Sequence, residues 1–159
     1  MKLIDMSSAS DPSRQQELAA MEQRINEMVQ QSRLLEAYMN DVMTRQVTVT
    51  RLMEEARLAS TTIQNISSES EVESLMPMGI GVYVKTVVPP IKKLLVNLGA
   101  GVAVEKSRED ALNYVEARIK EYEVAARQLE MQRQELAMRM DQLQSQINQM
   151  IRAAQQQQG

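Results

Sequence analysis

The chain contains no cysteine, histidine, tryptophan or phenylalanine in its 159 residues. Without Cys and His there is no ordinary ligand set for zinc, an iron–sulfur cluster or haem. There is equally no thiol nucleophile, no Ser–His pair and no disulfide framework. Four tyrosines are the whole aromatic complement, so neither a large packed core nor a base-stacking platform is expected. Basic charge is not in excess either. Lys and Arg number 18 against 21 Asp and Glu, a net −3, the reverse of the basic footprint of a nucleic-acid binder. Apolar runs stop after a handful of residues, far short of the roughly 18–20 a membrane span requires. The opening MKLIDMSSASDPS is too short in apolar residues for the ~7–15-residue core of a signal peptide. These absences exclude nucleic acid and membrane as partners and leave no catalytic, cofactor or metal site to predict, so no enzyme is expected. The lack of cysteine fits a cytoplasmic protein.

Glycine and proline are few, and their placement divides the chain. Residues 13–66 and 107–154 contain neither, whereas residues 67–106 hold four of the five glycines and three of the four prolines. Two breaker-free stretches around a Gly/Pro/Val-rich middle predict helix, strands, helix. Residues 1–12 read as a mobile arm and residues 155–159 as a polar tail.

What is abundant is apolar residues at strict 3-4 spacing. In 13–66 the register runs Leu18, Met21, Ile25, Met28, Ser32, Leu35, Met39, Val42, Gln46, Val49, Met53, Ala56, Ser60, Ile63. In 107–154 it runs Leu112, Val115, Ile119, Tyr122, Ala126, Leu129, Arg133, Leu136, Met140, Leu143, Ile147, Met150. This is the seam of a left-handed coiled coil. The polar interruptions either fix its register or loosen it locally. Asp11-Pro12 offers an N-cap with Pro at the first helical position, Ser13 with Gln16 a competing capping box, and Ser107 with Asp110 the start of the second helix. Each arm would span roughly 70–80 Å at 1.5 Å per residue. Arms of matched length around a short middle predict antiparallel pairing within the chain, with a parallel intermolecular coil as the alternative.

The middle zone repeats itself at an offset of 20. LMPMGIGVYVK from Leu75 aligns with LVNLGAGVAVE from Leu95. Each copy is an apolar run, Gly-x-Gly, then Val-x-Val, which reads as two consecutive β-hairpins with Pro89-Pro90 between them. Glycine supplies the positive φ of the turns, and Pro77 puts its strand at an edge or start. Neither Gly-x-Gly completes a dinucleotide fingerprint or a phosphate loop. Isolated hairpins are marginal in water, and their edges need other strands. The chain offers none, so hairpins from other chains are expected to supply them.

On these residues the chain resembles the α-class subunits of the prefoldin family, archaeal in type. The segment from Glu73 to Lys85 is similar to the family's first hairpin. That from Asn97 to Ser107 is closer still to its second hairpin and helix entry. The fold implied is α+β: a long antiparallel two-helix coiled coil joined by two β-hairpins that assemble into an intersubunit β-barrel. The hairpin residues Leu75, Met78, Gly79, Gly81, Val82, Val84, Leu95, Leu98, Gly99, Gly101, Val102 and Val104 would carry that assembly. The resemblance implies two α-class chains with four β-class subunits, unfolded or nascent client proteins, and delivery to a group II chaperonin. The activity implied is that of an ATP-independent holdase.

A holdase needs weak, non-directional attraction for many sequences, which exposed apolar side chains provide. Methionine, present 13 times, adapts to irregular partners. A helical hairpin cannot fully cover its seam at a free end, and terminal turns fray. The candidate client residues are therefore Leu18, Met21, Ile25, Met28 and Val29, with Ile147, Met150 and Ile151 opposite, and Leu3, Ile4 and Met6 of the arm as additions. Val124, Met131 and Met138 form an off-seam stripe with a lateral or client role as the lesser reading. Two other classes stand against the holdase: a structural filament built from the same hairpins, and a coiled-coil adaptor for one partner helix.

Overall fold

The computed structural model describes residues 11–66 and 68–158. The order is α1 (Pro12–Asn65), β1 (Val72–Gly79), β2 (Val82–Val88), β3 (Lys93–Gly99), β4 (Val102–Ser107) and α2 (Arg108–Gln158). Leu3, Ile4 and Met6 lie outside the described residues.

Each helix starts where a side chain can satisfy its first free amides. Asp11, not Ser13, caps α1: its Oδ1 accepts from the Ser13 amide at 3.1 Å and from the Ser13 hydroxyl at 2.9 Å, with Pro12 at the first helical position. Those two donors, with Arg14 nearby, hold the Asp11 carboxyl below its ordinary pKa. Ser107 caps α2 by accepting from the Asp110 amide at 3.1 Å, and Glu109 and Asp110 place negative charge in its first turn, where the helix dipole favours it. The other end of α2 departs from expectation. The helix continues to Gln158, so the glutamine run is helix and not a tail. Unbranched glutamines are adequate helix formers, and low apolarity does not end a helix when no breaker intervenes.

The chain divides at Arg45/Gln46 and at Gln128/Leu129 into two compact units. The first holds the opening half of α1 and the closing half of α2. Its seam buries Val42, Leu129, Leu143 and Ile147. The pairing is antiparallel, as the Arg14 guanidinium donating to the Gln157 carbonyl demonstrates. Arg133, the polar break in the α2 register, leaves the seam and makes a two-pronged pair with Glu130 on its own helix at 2.7 and 3.0 Å.

The second unit holds the remaining helical halves and the four strands. Its antiparallel pairing is fixed where α1 ends. Arg108 Nε donates to the Ile63 carbonyl at 3.0 Å and Arg108 Nη2 to that of Gln64 at 2.7 Å. Further along, Arg57 faces Glu123 across the pair at 3.6 Å. Ala111 is the most buried apolar residue, 1% exposed. Ser60 is buried in the α1 register and accepts from Gln64 Nε2 at 3.3 Å, a satisfied polar break.

The strands form two separate antiparallel hairpins, β1-β2 and β3-β4. Their registers repeat at the same offset of 20 as the sequence. Met76 faces Val84 and Pro77 faces Tyr83 in the first hairpin; Val96 faces Val104 and Asn97 faces Ala103 in the second. Both carry a register shift before the turn, at Pro77/Gly79 and at Asn97/Gly99. The extra residues are Met78 and Leu98. Pro77 therefore sits beside a bulge near the end of β1, where its missing N–H leaves the ladder intact. In the second copy Asn97 Oδ1 accepts from the Gly99 amide at 2.9 Å and stabilises the same bend.

Positive φ is not confined to glycine. Ile80 (φ 50°) and Ala100 (φ 51°) adopt it alongside Gly79, Gly81, Gly99 and Gly101. Two central residues with φ above zero mark the type I′ hairpin turn, whose twist matches that of the flanking strands. A Cβ added at Gly81 or Gly101 would meet nothing within 4 Å. Glycine is placed there for backbone conformation, not for space.

Candidate functional site

Two sets of residues carry the candidate function. The first is the hairpin surface. Alternation along paired strands puts Met76, Val82 and Val84 on one face of the first hairpin, and Val96, Val102 and Val104 on the same face of the second. Leu75, Met78, Val82, Val84, Leu95, Leu98, Val102 and Val104 are all exposed, Leu95 at 74%. The turn glycines Gly79, Gly81, Gly99 and Gly101 are exposed as well. Each hairpin has only two strands, so every strand has an edge whose outward N–H and C=O groups are open to pairing.

The second set lies where α1 begins and α2 ends. Leu18, Met21, Ile25, Met28, Val29 and Met150 are half-buried, and Ile151 is exposed. Ile147 is 5% exposed. It is packed in the seam and offers surface only when the two helices part. The structure brings Met21 and Met150 together in one open cleft of about 400 Å3, whose other walls are Glu17, Ala20, Arg24 and Gln157. Leu18, Ile25, Met28 and Val29 do not line it. Its lining combines apolar Ala20, Met21 and Met150 with one charge of each sign, Glu17 and Arg24.

Sequence reasoning passed over Gln157 by assigning it to a tail. Its Oε1 is buried and has no hydrogen-bond partner. No periodicity signals such a residue; only the persistence of helix through the glutamine run could have. The off-seam residues Val124, Met131 and Met138 are exposed. No group of three or more potential metal-ligating side chains occurs among the described residues, and no described helix is long and apolar enough to cross a membrane.

Paired helices linked through two twisted β-hairpins define a class of coiled-coil subunit. A family model for the prefoldin subunit matches residues 35–156. The prefoldin subunit alpha of Nitrosopumilus maritimus is 38% identical over 85% of this chain and 93% of its own length. That of Methanocorpusculum labreanum is 34% identical over 77% of this chain and 80% of its own. Filamentous PFD from Methanocaldococcus jannaschii, solved by cryo-EM, has the same fold: TM-score 0.59, 24% identity, 76% of this chain and 98% of that one. The chain belongs to the prefoldin family, a family of non-enzymatic chaperone subunits, and the two curated relatives named above are alpha subunits.

Proposed function

We propose that this chain is the α-class subunit of a cytoplasmic hetero-hexamer, two α-class with four β-class chains, that captures non-native proteins and passes them to a group II chaperonin without ATP. The observation that carries the assembly is the surface of the hairpins. Val82, Val84, Val102 and Val104 are exposed beside open strand edges. Strands supplied by other subunits would remove both the apolar exposure and the unpaired backbone. Roughly 25 cal/mol is gained per Å2 of apolar surface so covered.

Capture falls to the end of the coiled coil where α1 begins and α2 ends. Half-buried Met21 and Met150 line an open cleft there, and flexible methionine side chains suit weak binding of many sequences. Several such ends on one platform act through effective concentration, so capture strengthens with no new contact. Binding the unfolded chain lowers its free concentration and opposes aggregation.

The test is suppression of aggregation. The chain, assembled with a β-class subunit, is mixed with a chemically denatured client and light scattering is followed without nucleotide. A formed complex that leaves scattering unchanged rejects the proposal. A second reading draws on the filamentous PFD named above: hairpins that pair only with copies of themselves propagate as an open chain instead of closing. Electron microscopy of the purified chain separates the two, since long fibres favour the filament and discrete particles with β-class chains favour the hexamer.

A further inference from the structure

The two hairpins carry opposite charges at equivalent places. At the repeat offset of 20, Glu73 corresponds to Lys93, and Lys85 corresponds to Glu105. The strand registers make this equivalence structural, since Leu75 pairs with Lys85 and Leu95 with Glu105. Side chains alternate along a strand, so Glu73 and Lys85 share the face of the first hairpin that points away from Val84. Lys93 and Glu105 share the same face of the second, away from Val104. Every paired residue of that face is exposed, whereas Val72, Thr86, Val96 and Lys106 of the other face are half-buried. Lys93 reaches Glu105 at 4.0 Å within its own hairpin, a loose exposed pair that gives way at little cost. Glu73 and Lys85 are in no ion pair among the described residues.

We infer that these four charges sort the hairpins between copies of this chain: the first hairpin of one copy takes the second hairpin of another and refuses its own kind. The inference rests on the reading that the hairpins carry assembly, and adds which hairpin meets which. Every strand has an open edge, and two hairpins can meet with corresponding strands side by side, β1 beside β3 or β2 beside β4. In such a contact each residue near the axis faces its equivalent. Two first hairpins would set Glu73 against Glu73 or Lys85 against Lys85, and like charges directly across are destabilising. A first and a second hairpin set Glu73 against Lys93, or Lys85 against Glu105. The match is reciprocal, so a second copy of this chain supplies both partners at once. Within one chain the hairpins form separate sheets and leave the match unused. Exposed Leu75 and Leu95 on the same face supply attraction without direction, and the charges supply the choice of partner.

The experiment swaps the charges inside one hairpin at a time in the full-length chain. One variant carries Glu73→Lys with Lys85→Glu, a second carries Lys93→Glu with Glu105→Lys, and a third carries all four changes. Each swap preserves net charge and leaves opposite signs within its hairpin, and far-UV circular dichroism checks that the helices persist. Native mass spectrometry over a range of concentrations, with and without β-class subunits, counts the copies of this chain per particle. Each single-hairpin swap should weaken association between copies about tenfold, as attraction turns to repulsion at the paired charges. The four-fold variant should regain wild-type association. So should an equimolar mixture of the two single-hairpin swaps, in which every hairpin again finds its complement. Single-hairpin swaps that associate like the wild type overturn the inference, and are the result expected if β1 of one copy lies beside β2 of another. Failure of both the four-fold variant and the mixture to recover overturns it as well, as does a wild type with one copy per particle in every condition. Loss of β-class subunits with association between copies unchanged overturns it by giving the charges to the other subunit. Val82→Asp is measured alongside. If it dissociates the particles while the swaps are silent, the charges are idle and hairpin assembly survives; if it too is silent, the reading beneath the inference has failed.

Discussion

Arg108, the first residue of α2, donates to the carbonyls of Ile63 and Gln64 at the last turn of α1, at 3.0 and 2.7 Å. Helix α1 has no basic residue of its own in that turn, so its orphan carbonyls and negative dipole end are met by a cation from the other helix. One side chain thus caps α1 and fixes where α2 begins, after the strands have intervened. Arg108→Met keeps the stem and removes the donors. It is expected to lower the stability of the assembled protein by about 1–2 kcal/mol, read as a shift of the urea midpoint at constant slope. Amide exchange should accelerate first in residues 60–66. Uniform acceleration throughout both helices would count against a local cap.

Ile147 and Met150 lie one helical turn apart yet answer different questions. Ile147 is buried in the seam, and Met150 lines the open cleft. Ile147→Ala should cost about 2–4 kcal/mol, through lost burial and the cavity left behind. Met21→Ser with Met150→Ser should weaken client capture severalfold with a much smaller shift in the melting temperature. Thermal melts and aggregation assays on the same preparations separate the two. A pair of methionine variants that melt as early as Ile147→Ala would make the cleft chiefly scaffold.

The cap on α1 is sensitive to acid. The carboxyl of Asp11 is held below its ordinary 3.8 by the Ser13 hydroxyl first, then by the Ser13 amide and Arg14. A depressed carboxyl stabilises the folded state above its unfolded pKa, and that contribution disappears as pH falls through the lower folded value. Protection of the amides of residues 13–16 should therefore be level from pH 7 to about pH 4 and drop below it. Asp11→Ala should show low protection throughout and lose the acid dependence. An acid step of equal size in Asp11→Ala would assign it to another group.

The helical register and the hairpins were legible because each depends on local rules. A 3-4 spacing can be satisfied only by a helix with one covered stripe, and Gly-x-Gly followed by Val-x-Val has few solutions besides a turn and a strand. Three features depend on what the chain meets later. Arg133 occupies a seam position, but the carboxylate of Glu130 offers it a pair outside the seam. Ala111 is not in the 3-4 register at all, yet is nearly inaccessible, three residues after the Arg108 that reaches the end of α1. Gln157 looked like solvent-facing tail, yet it is helical and its amide oxygen is buried. In each case composition was read correctly and tertiary context decided the role.

Assembly through the hairpins is tested at the repeat-related valines. Val82 and Val102 follow the two turns, occupy equivalent places in the two registers and are both exposed. Asp at either position places a charge where a neighbouring strand would bury it, at a cost of several kcal/mol unless it is paired. Val82→Asp and Val102→Asp should each shift the complex to smaller species on size-exclusion chromatography while the far-UV spectrum stays helical. A hexamer of unchanged size would remove the hairpins from the assembly.

Ile80 supplies the sharpest test of what the first turn is for. A β-branched residue at φ 50° is strained, because its Cβ crowds the following carbonyl, and the side chain is fully exposed. The second hairpin has Ala100 in the equivalent place at φ 51°, so the turn does not require the larger side chain. Asparagine tolerates this conformation far better. If the turn only reverses the chain, Ile80→Asn should stabilise the assembled protein by about 1 kcal/mol, with Ala100→Asn giving a smaller gain because alanine carries no branch. Denaturant-induced dissociation of the complex reads both. Weaker assembly in Ile80→Asn, beside an unharmed Ala100→Asn, would mean that the strain is retained for a contact made by the isoleucine side chain in the complex.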